Sequence, residues 1–138
     1  MREIKFRGKR LDNGEWIEGD LLRMNGHWFI FPDPAPGGID KYEVDPATVG
    51  EFTGLKDRNG KEVYEGDIIR FSNPYLIISQ GKQSFGMVKY YDALAGFALY
   101  NSSEDKFPME CDWLKIDGST KVFGNIHDNP KFLKGGEQ

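Results

Sequence analysis

The sequence predicts a mainly β fold: a barrel-like or SH3-like antiparallel sheet with one or two short helical turns. Three observations carry that expectation. No segment sustains an apolar period of 3.6 residues over about 12 residues, so amphipathic helices are absent from the pattern. Short apolar runs alternate instead at period two, as half-buried strands do. The 17 glycines and 7 prolines fall mostly between those runs, and aromatics make up 14% of the residues, a composition suited to pleated sheets joined by tight turns. At 138 residues the chain has the length of one domain, 1–138, with two sub-barrels of about 1–50 and 51–130 as the alternative division.

The first third reads as a meander. Ile4 and Phe6 alternate with Lys5 and Arg7, giving a strand with one buried face, and Gly8 breaks the run as a bulge would. Asp12-Asn13-Gly14 supplies a hairpin, because Asn and Gly tolerate the positive φ that a tight turn needs. Glu15 to Met24 returns as a second strand, and its alternation slips at Gly19-Asp20, where a kink or bulge is expected. Asn25-Gly26 makes another hairpin into His27 to Phe31. Pro32 to Asp40, with three prolines and two glycines, is a loop.

Asp45-Pro46-Ala47-Thr48 carries a helix-start signal, a capping Asp followed by Pro at the first helical position. Glu51 to Thr53 is extended, and Asp57-Arg58-Asn59-Gly60 repeats the hairpin chemistry. Val63 to Phe71 passes through Glu65-Gly66-Asp67 into Ile68-Ile69, the candidate central strand. Tyr75 to Ser79 extends the sheet, and Phe85 to Tyr91 with Phe97 to Tyr100 form a hairpin around Asp92 to Gly96. Asn101 to Asp112 is a second, acidic loop; Trp113 to Ile116 and Lys121 to Ile126 are the last strands, with a short helix from Asn129-Pro130 and a frayed end from Lys134. Ile17 to Arg23 and Tyr64 to Arg70 share a Gly-Asp pair 47 positions apart, which is either repeated turn chemistry or a duplicated barrel.

The net charge of −4 weighs against a general polyanion binder. Charge is nevertheless uneven: residues 1–11 are basic and residues 102–117 acidic, two solvated faces or two patches that meet within or between subunits. Cys111 is the only cysteine, which excludes an intramolecular disulfide and points to a reducing compartment. No apolar run approaches about 18 residues, and the charged MREIKFRGKRL start lacks a signal-peptide core, so the expected location is the cytoplasm of a cell, with no membrane partner.

Chemistry is sparsely encoded. His27, His127 and Cys111 have no metal-ligand spacing, and neither metal nor cofactor is expected. No G-x-S-x-G elbow is present, and Cys111 lies among acids that disfavour a thiolate. No phosphate-cradling glycine motif occurs either. Glu18/Asp20 and Glu65/Asp67 are spaced to share a strand face, where a pair of carboxylates holds a cation or moves a proton; turn chemistry at Gly-Asp is the competing reading. Gly66-Asp67-Ile68-Ile69 followed by Gly86-Met87-Val88 resembles the strand pattern of SH3-like barrels in ribosome- and DNA-associated proteins. Arg7, Lys9 and Arg10 are the candidate phosphate contacts for that reading, with Trp16 the candidate stacking ring and Trp28 and Tyr90 as others.

A longer set of motifs runs through the chain in order. It comprises Arg7-Gly8-Lys9, Trp16 with Gly19-Asp20, Val44-Asp45-Pro46 to Gly50, Phe52 to Asp57, Asn59-Gly60-Lys61, Tyr64 to Ile68, and Gly124 to Pro130. This set resembles the YopX family of phage and prophage proteins. The resemblance implies a small β-rich protein of a phage or prophage in a bacterial cell, homo-oligomeric, and it implies no reaction and no catalytic residues. Asp45, Pro46, Gly54, Asn59, Gly60, Gly66, Asp67, Gly124, Asn125 and Pro130 are its structural signature. The expected role is non-enzymatic, by self-association and binding of a host or phage protein, with nucleic-acid binding as the alternative. Local function is expected in the loops 32–40 and 101–112.

Overall fold

The computed structural model describes residues 3–72, 83–101, 111–113 and 120–130. These residues are mostly strand, in two antiparallel sheets, with short 3-10 turns at Ile39–Tyr42, Pro46–Thr48 and Asp92–Leu94. The antiparallel β expectation holds, but neither sheet forms a closed barrel among the described residues. The chain comprises two compact units, Met1–Gly54 and Leu55–Gln138.

In the first unit β1 (Phe6–Lys9), β2 (Trp16–Met24), β3 (His27–Phe31) and β4 (Glu43–Val44) are joined by β5 (Gly50–Lys56), whose end crosses the division. The sheet order is β4-β3-β2-β1-β5, continued by β6 (Glu62–Tyr64), which the turn at Asp57–Gly60 folds back. The β2–β3 hairpin closes on two positive-φ residues, Asn25 at 54° and Gly26 at 82°, the twist that suits flanking strands. At Asp12–Gly14 only Gly14 takes a positive φ, and the Asn13 side chain accepts the Glu15 N–H at 2.9 Å, so the loop is wider than a two-residue turn.

Strand β2 serves two partners. Its first half pairs with β1 as far as Phe6–Gly19, and its second half pairs with β3 from Asp20–Phe31 onward. Gly19 sits at the exchange because a Cβ there would run into the carbonyl of Phe31. That is the cause of the slip in alternation. Beyond β1, Arg10 bridges to Val44, Leu11 donates to the Glu43 carbonyl at 2.9 Å, and Asp45 donates to the Lys9 carbonyl at 2.8 Å. The sheet therefore curls until one corner meets, and Ile30 and Val44 fill the inside with no exposure. Gly8 is not a bulge, since β1–β2 register is unbroken from Phe6 to Lys9. Its cause is space: a Cβ at Gly8 would lie 3.1 Å from Ile30 Cδ1 and 3.2 Å from Val44 Cβ.

The second unit is built on β7 (Asp67–Ser72), β8 (Gln83–Tyr91), β9 (Gly96–Asn101), β10 (Cys111–Trp113) and β11 (Lys121–Asn125), in the order β10-β9-β8-β7-β11. Ile69 on β7, Val88 on β8 and Val122 on β11 pack with Val63, and Phe97 and Leu99 of β9 close over them. Each such side chain contributes about 1.5–3 kcal/mol by leaving water. Ile68 points to the other face and is equally inaccessible, which explains the unbroken apolar pair in β7. The bulge of this sheet lies in β11, where pairing with β7 shifts between Val122 and Gly124. The Asp92–Gly96 connection holds a 3-10 turn capped by Ala95 at φ 53°. Tyr75 to Ser79, most of the Asn101 to Asp112 loop, the run from Leu114 to Ile116, the helix expected beyond Pro130 and the frayed end lie outside the described residues.

Candidate functional site

The cations singled out for phosphate contact do converge on Trp16. Lys9 and Trp16 are register partners on β1 and β2, and Arg7 lies two residues along the same face. The Arg7 guanidinium sits 4.7 Å from the Trp16 ring centre and the Lys9 ammonium 5.4 Å from it. Such contacts contribute about 0.5–2 kcal/mol, more as water is excluded. Arg7 is only 8% exposed, and Arg10 is paired to Asp12 at 2.6 Å. The cluster thus spends its charges on its own ring and carboxylate. Trp28 is likewise covered by Arg23, at 5.1 Å, while Tyr90 packs edge-on against Phe97 at 5.4 Å.

The two carboxylate pairs are held differently. Asp67 is buried and accepts the Tyr64 N–H at 2.7 Å, closing the turn around Gly66, whose φ is 96°. Glu65 reaches instead to the Tyr90 N–H at 3.4 Å. Asp20 is exposed in the middle of β2 where Asp67 is buried beside a turn, so the two Gly-Asp pairs do different work. Among the described residues no group of three or more His, Cys, Asp or Glu is placed to hold a metal ion. Nor is any helix there long and apolar enough to cross a membrane.

The signature residues are structural devices. Asp45 accepts the Ala47 N–H at 3.0 Å and Pro46 opens the 3-10 turn, as expected. Thr48 completes it: its hydroxyl donates to the Asp45 carbonyl at 2.6 Å and accepts the Lys9 N–H at 2.8 Å. Gly54 and Gly60 adopt positive φ, at 89° and 83°. Asn125 accepts the N–H groups of His127 and Asp128, both at 2.9 Å, and Asn129 accepts that of Asn125 at 3.1 Å. A Cβ at Gly124 would strike the Asn129 amide oxygen, so glycine precedes this turn.

One closely engaged residue was not among the signature set. Asp57 is buried, and one of its oxygens accepts the N–H groups of Asn59, at 2.8 Å, and Lys61, at 2.9 Å; the other accepts that of Val122, at 2.9 Å. Burial pushes its pKa up, but the N–H donors of Val122, Lys61 and Asn59 and the charge of Lys61 outweigh that and hold it below the ordinary 3.8. The Asp-x-Asn-Gly pattern signals the local turn; nothing in sequence signals the third donor.

The surface with the clearest binding character is the outer face of β2 and β3. Register places Leu22 beside Phe29 and Met24 beside His27. The rings of His27, Phe29 and Phe31 follow one another at 6.4 and 6.1 Å, and Phe31 meets Tyr42 at 5.5 Å. The Tyr42 hydroxyl donates to the Pro36 carbonyl, which ties the Pro32–Asp40 loop to this edge. Leu22 and Met24 remain 41% and 44% exposed next to buried Phe29. His27 Nδ1 and Glu43 Oε2, 2.6 Å apart, rim the strip with polar groups. An exposed aliphatic strip with a polar rim and an aromatic floor shares its make-up with protein-contact surfaces.

The family model described as YopX protein matches residues 5–134. No curated protein matches the chain. Protein EF1440 from Enterococcus faecalis, known from its crystal structure, is similar with a TM-score of 0.51 and 23% identity, covering 96% of this chain and 99% of that one. At that identity the likeness extends to the fold alone.

Proposed function

The chain belongs to the YopX family, and from that membership we propose that it is a phage- or prophage-encoded accessory protein of the bacterial cytoplasm, acting without catalysis by self-association and protein binding. The observation that carries the binding reading is the exposure of Leu22 and Met24 on the outer face of β2 and β3. Burying two such side chains against a partner contributes about 1.5–3 kcal/mol each at full burial, enough to anchor the centre of an interface. The first partner to test is a second copy of the chain.

Light scattering over a concentration series provides the test. The wild type is expected to exceed the 15.7 kDa monomer mass, and Leu22→Asp/Met24→Asp to return it to monomer with unfolding little changed. A wild type that stays monomeric at every concentration overturns self-association; a double variant that associates as before overturns the site. The alternative, nucleic-acid binding through Arg7, Lys9, Arg10 and Trp16, is less favoured because Arg7 is buried and Arg10 is paired with Asp12.

A further inference from the structure

The net negative charge disfavours polyanions in general, but the second unit gathers cations and rings on one surface. Across β11, β7 and β8, register aligns Lys121 with Arg70 and Arg70 with Phe85, so the three side chains project from the same face. Phe123 stands beside them. It occupies the β11 bulge between Val122 and Gly124, is 43% exposed, and sets its ring edge-on to Phe85 at 5.3 Å. A bulge re-aims a side chain, and here the one that it presents is a large ring open to solvent.

A third cation is fixed near this row. The Arg58 N–H, in the turn between β5 and β6, donates to the Thr120 carbonyl at 3.1 Å, which holds the backbone of the exposed Arg58 beside the residue that precedes Lys121. Among the described residues no carboxylate forms an ion pair with Arg58, Arg70 or Lys121. The nearest acid along this turn, Asp57, is buried and directed to backbone N–H groups and to the charge of Lys61. This contrasts with the Trp16 cluster, whose cations are engaged with a ring and a carboxylate.

We propose that the face formed by Arg58, Arg70, Lys121, Phe85 and Phe123 binds single-stranded nucleic acid, the cations meeting backbone phosphates and the Phe123 ring stacking on a base. A sheet that offers cations beside an exposed ring has the two elements such binding uses, and neither reads sequence. A duplex would offer phosphates but no open base face. The site lies in the second unit and does not depend on the protein-binding strip of the first.

The test is fluorescence anisotropy with a labelled oligodeoxythymidylate, beginning at low salt. The wild type is expected to bind, with log affinity falling linearly against log salt. Removing two phosphate contacts in Arg58→Gln/Lys121→Gln lowers the magnitude of that slope by about 1.4. Phe123→Ala lowers affinity about tenfold with the slope unchanged; Phe123→Leu keeps apolar bulk without a ring face and gives the same loss if the alanine variant unfolds. Lys56→Gln, one charge removed at an exposed lysine outside the row, leaves ring-dependent binding intact. No binding by the wild type at low salt overturns the proposal, as does a slope unchanged in the double variant. Competition by polyglutamate at equal charge as strong as by the oligonucleotide, or full affinity in Phe123→Leu, overturns the stacking role and with it the ligand class. Failure of this test leaves the mass measurements on Leu22→Asp/Met24→Asp unaffected.

Discussion

The carboxylate of Asp57 accepts the backbone N–H of Val122 at 2.9 Å, although the two residues are 65 positions apart. Asp57 also closes its own turn through Asn59 and Lys61, so one buried side chain defines a hairpin and anchors the outer strand of the second sheet. Buried donors that lose their acceptor cost more than the bond itself contributed. Asp57→Ala is therefore expected to lose about 3 kcal/mol or more in urea unfolding. Asp57→Asn keeps an acceptor for Asn59 and Lys61 but turns an NH2 toward Val122, and a loss of about 2 kcal/mol is expected. Equal stability of all three proteins would remove Asp57 from its assigned role.

The same residue sets an acid limb. Its folded pKa lies below the ordinary 3.8, so the folded state favours the ionised form and the unfolded chain takes up the proton first as pH drops. The contribution is fully present above about pH 5 and is lost as pH falls through the folded value, below about 4. Urea midpoints measured from pH 6 to 2 should show the wild type losing its advantage over Asp57→Asn in that window. A constant gap between the two curves would refute the linkage.

Three glycines should rank by what a methyl group would meet. Gly19→Ala drives Cβ into the backbone of Phe31 and is expected to be the most damaging, at about 3 kcal/mol or beyond. Gly8→Ala meets the tip of Ile30 and the backbone-fixed Cβ of Val44, at 3.1 and 3.2 Å, for a cost of about 1–3 kcal/mol. Gly14→Ala faces open space and pays only for its φ of 74°, about 1–2 kcal/mol. Thermal unfolding of the three variants decides the order.

Thr48 offers a cleaner pair. Thr48→Val preserves shape but strips the hydroxyl that joins Asp45 to Lys9, with an expected loss of about 2 kcal/mol. Thr48→Ser keeps the hydroxyl and should lose distinctly less. If valine is as stable as threonine by chemical denaturation, the hydroxyl bridge contributes nothing.

Local chemistry was readable in the sequence where it is self-contained. Asn25-Gly26 set both the turn and the limits of β2 and β3, and Asp45-Pro46 gave the 3-10 turn, because each signal acts within four residues. Gly8 and Gly19 were visible as breaks, but their reasons, Ile30 with Val44 and the Phe31 carbonyl, come from strands elsewhere in the unit. The bulge expected at Gly8 does not occur, and one that was not expected lies at Phe123, in a run whose letters KVFGN show no interruption before the glycine. Spacing suggested that Glu65 and Asp67 share a face; the turn at Gly66 separates them. The aliphatic strip of Leu22 and Met24 was hidden because an exposed and a buried apolar residue are written alike.

The bulge in β11 has a bearing on assembly. Among the described residues β11 ends its sheet, and an unbroken end strand is a template on which a further chain adds by backbone hydrogen bonds. Here the register slips after Val122 and Lys121 brings a charge to the same strand. Both features frustrate growth of the sheet sideways into fibres. The edge that β11 presents is thereby a poor template for a continuous β ribbon.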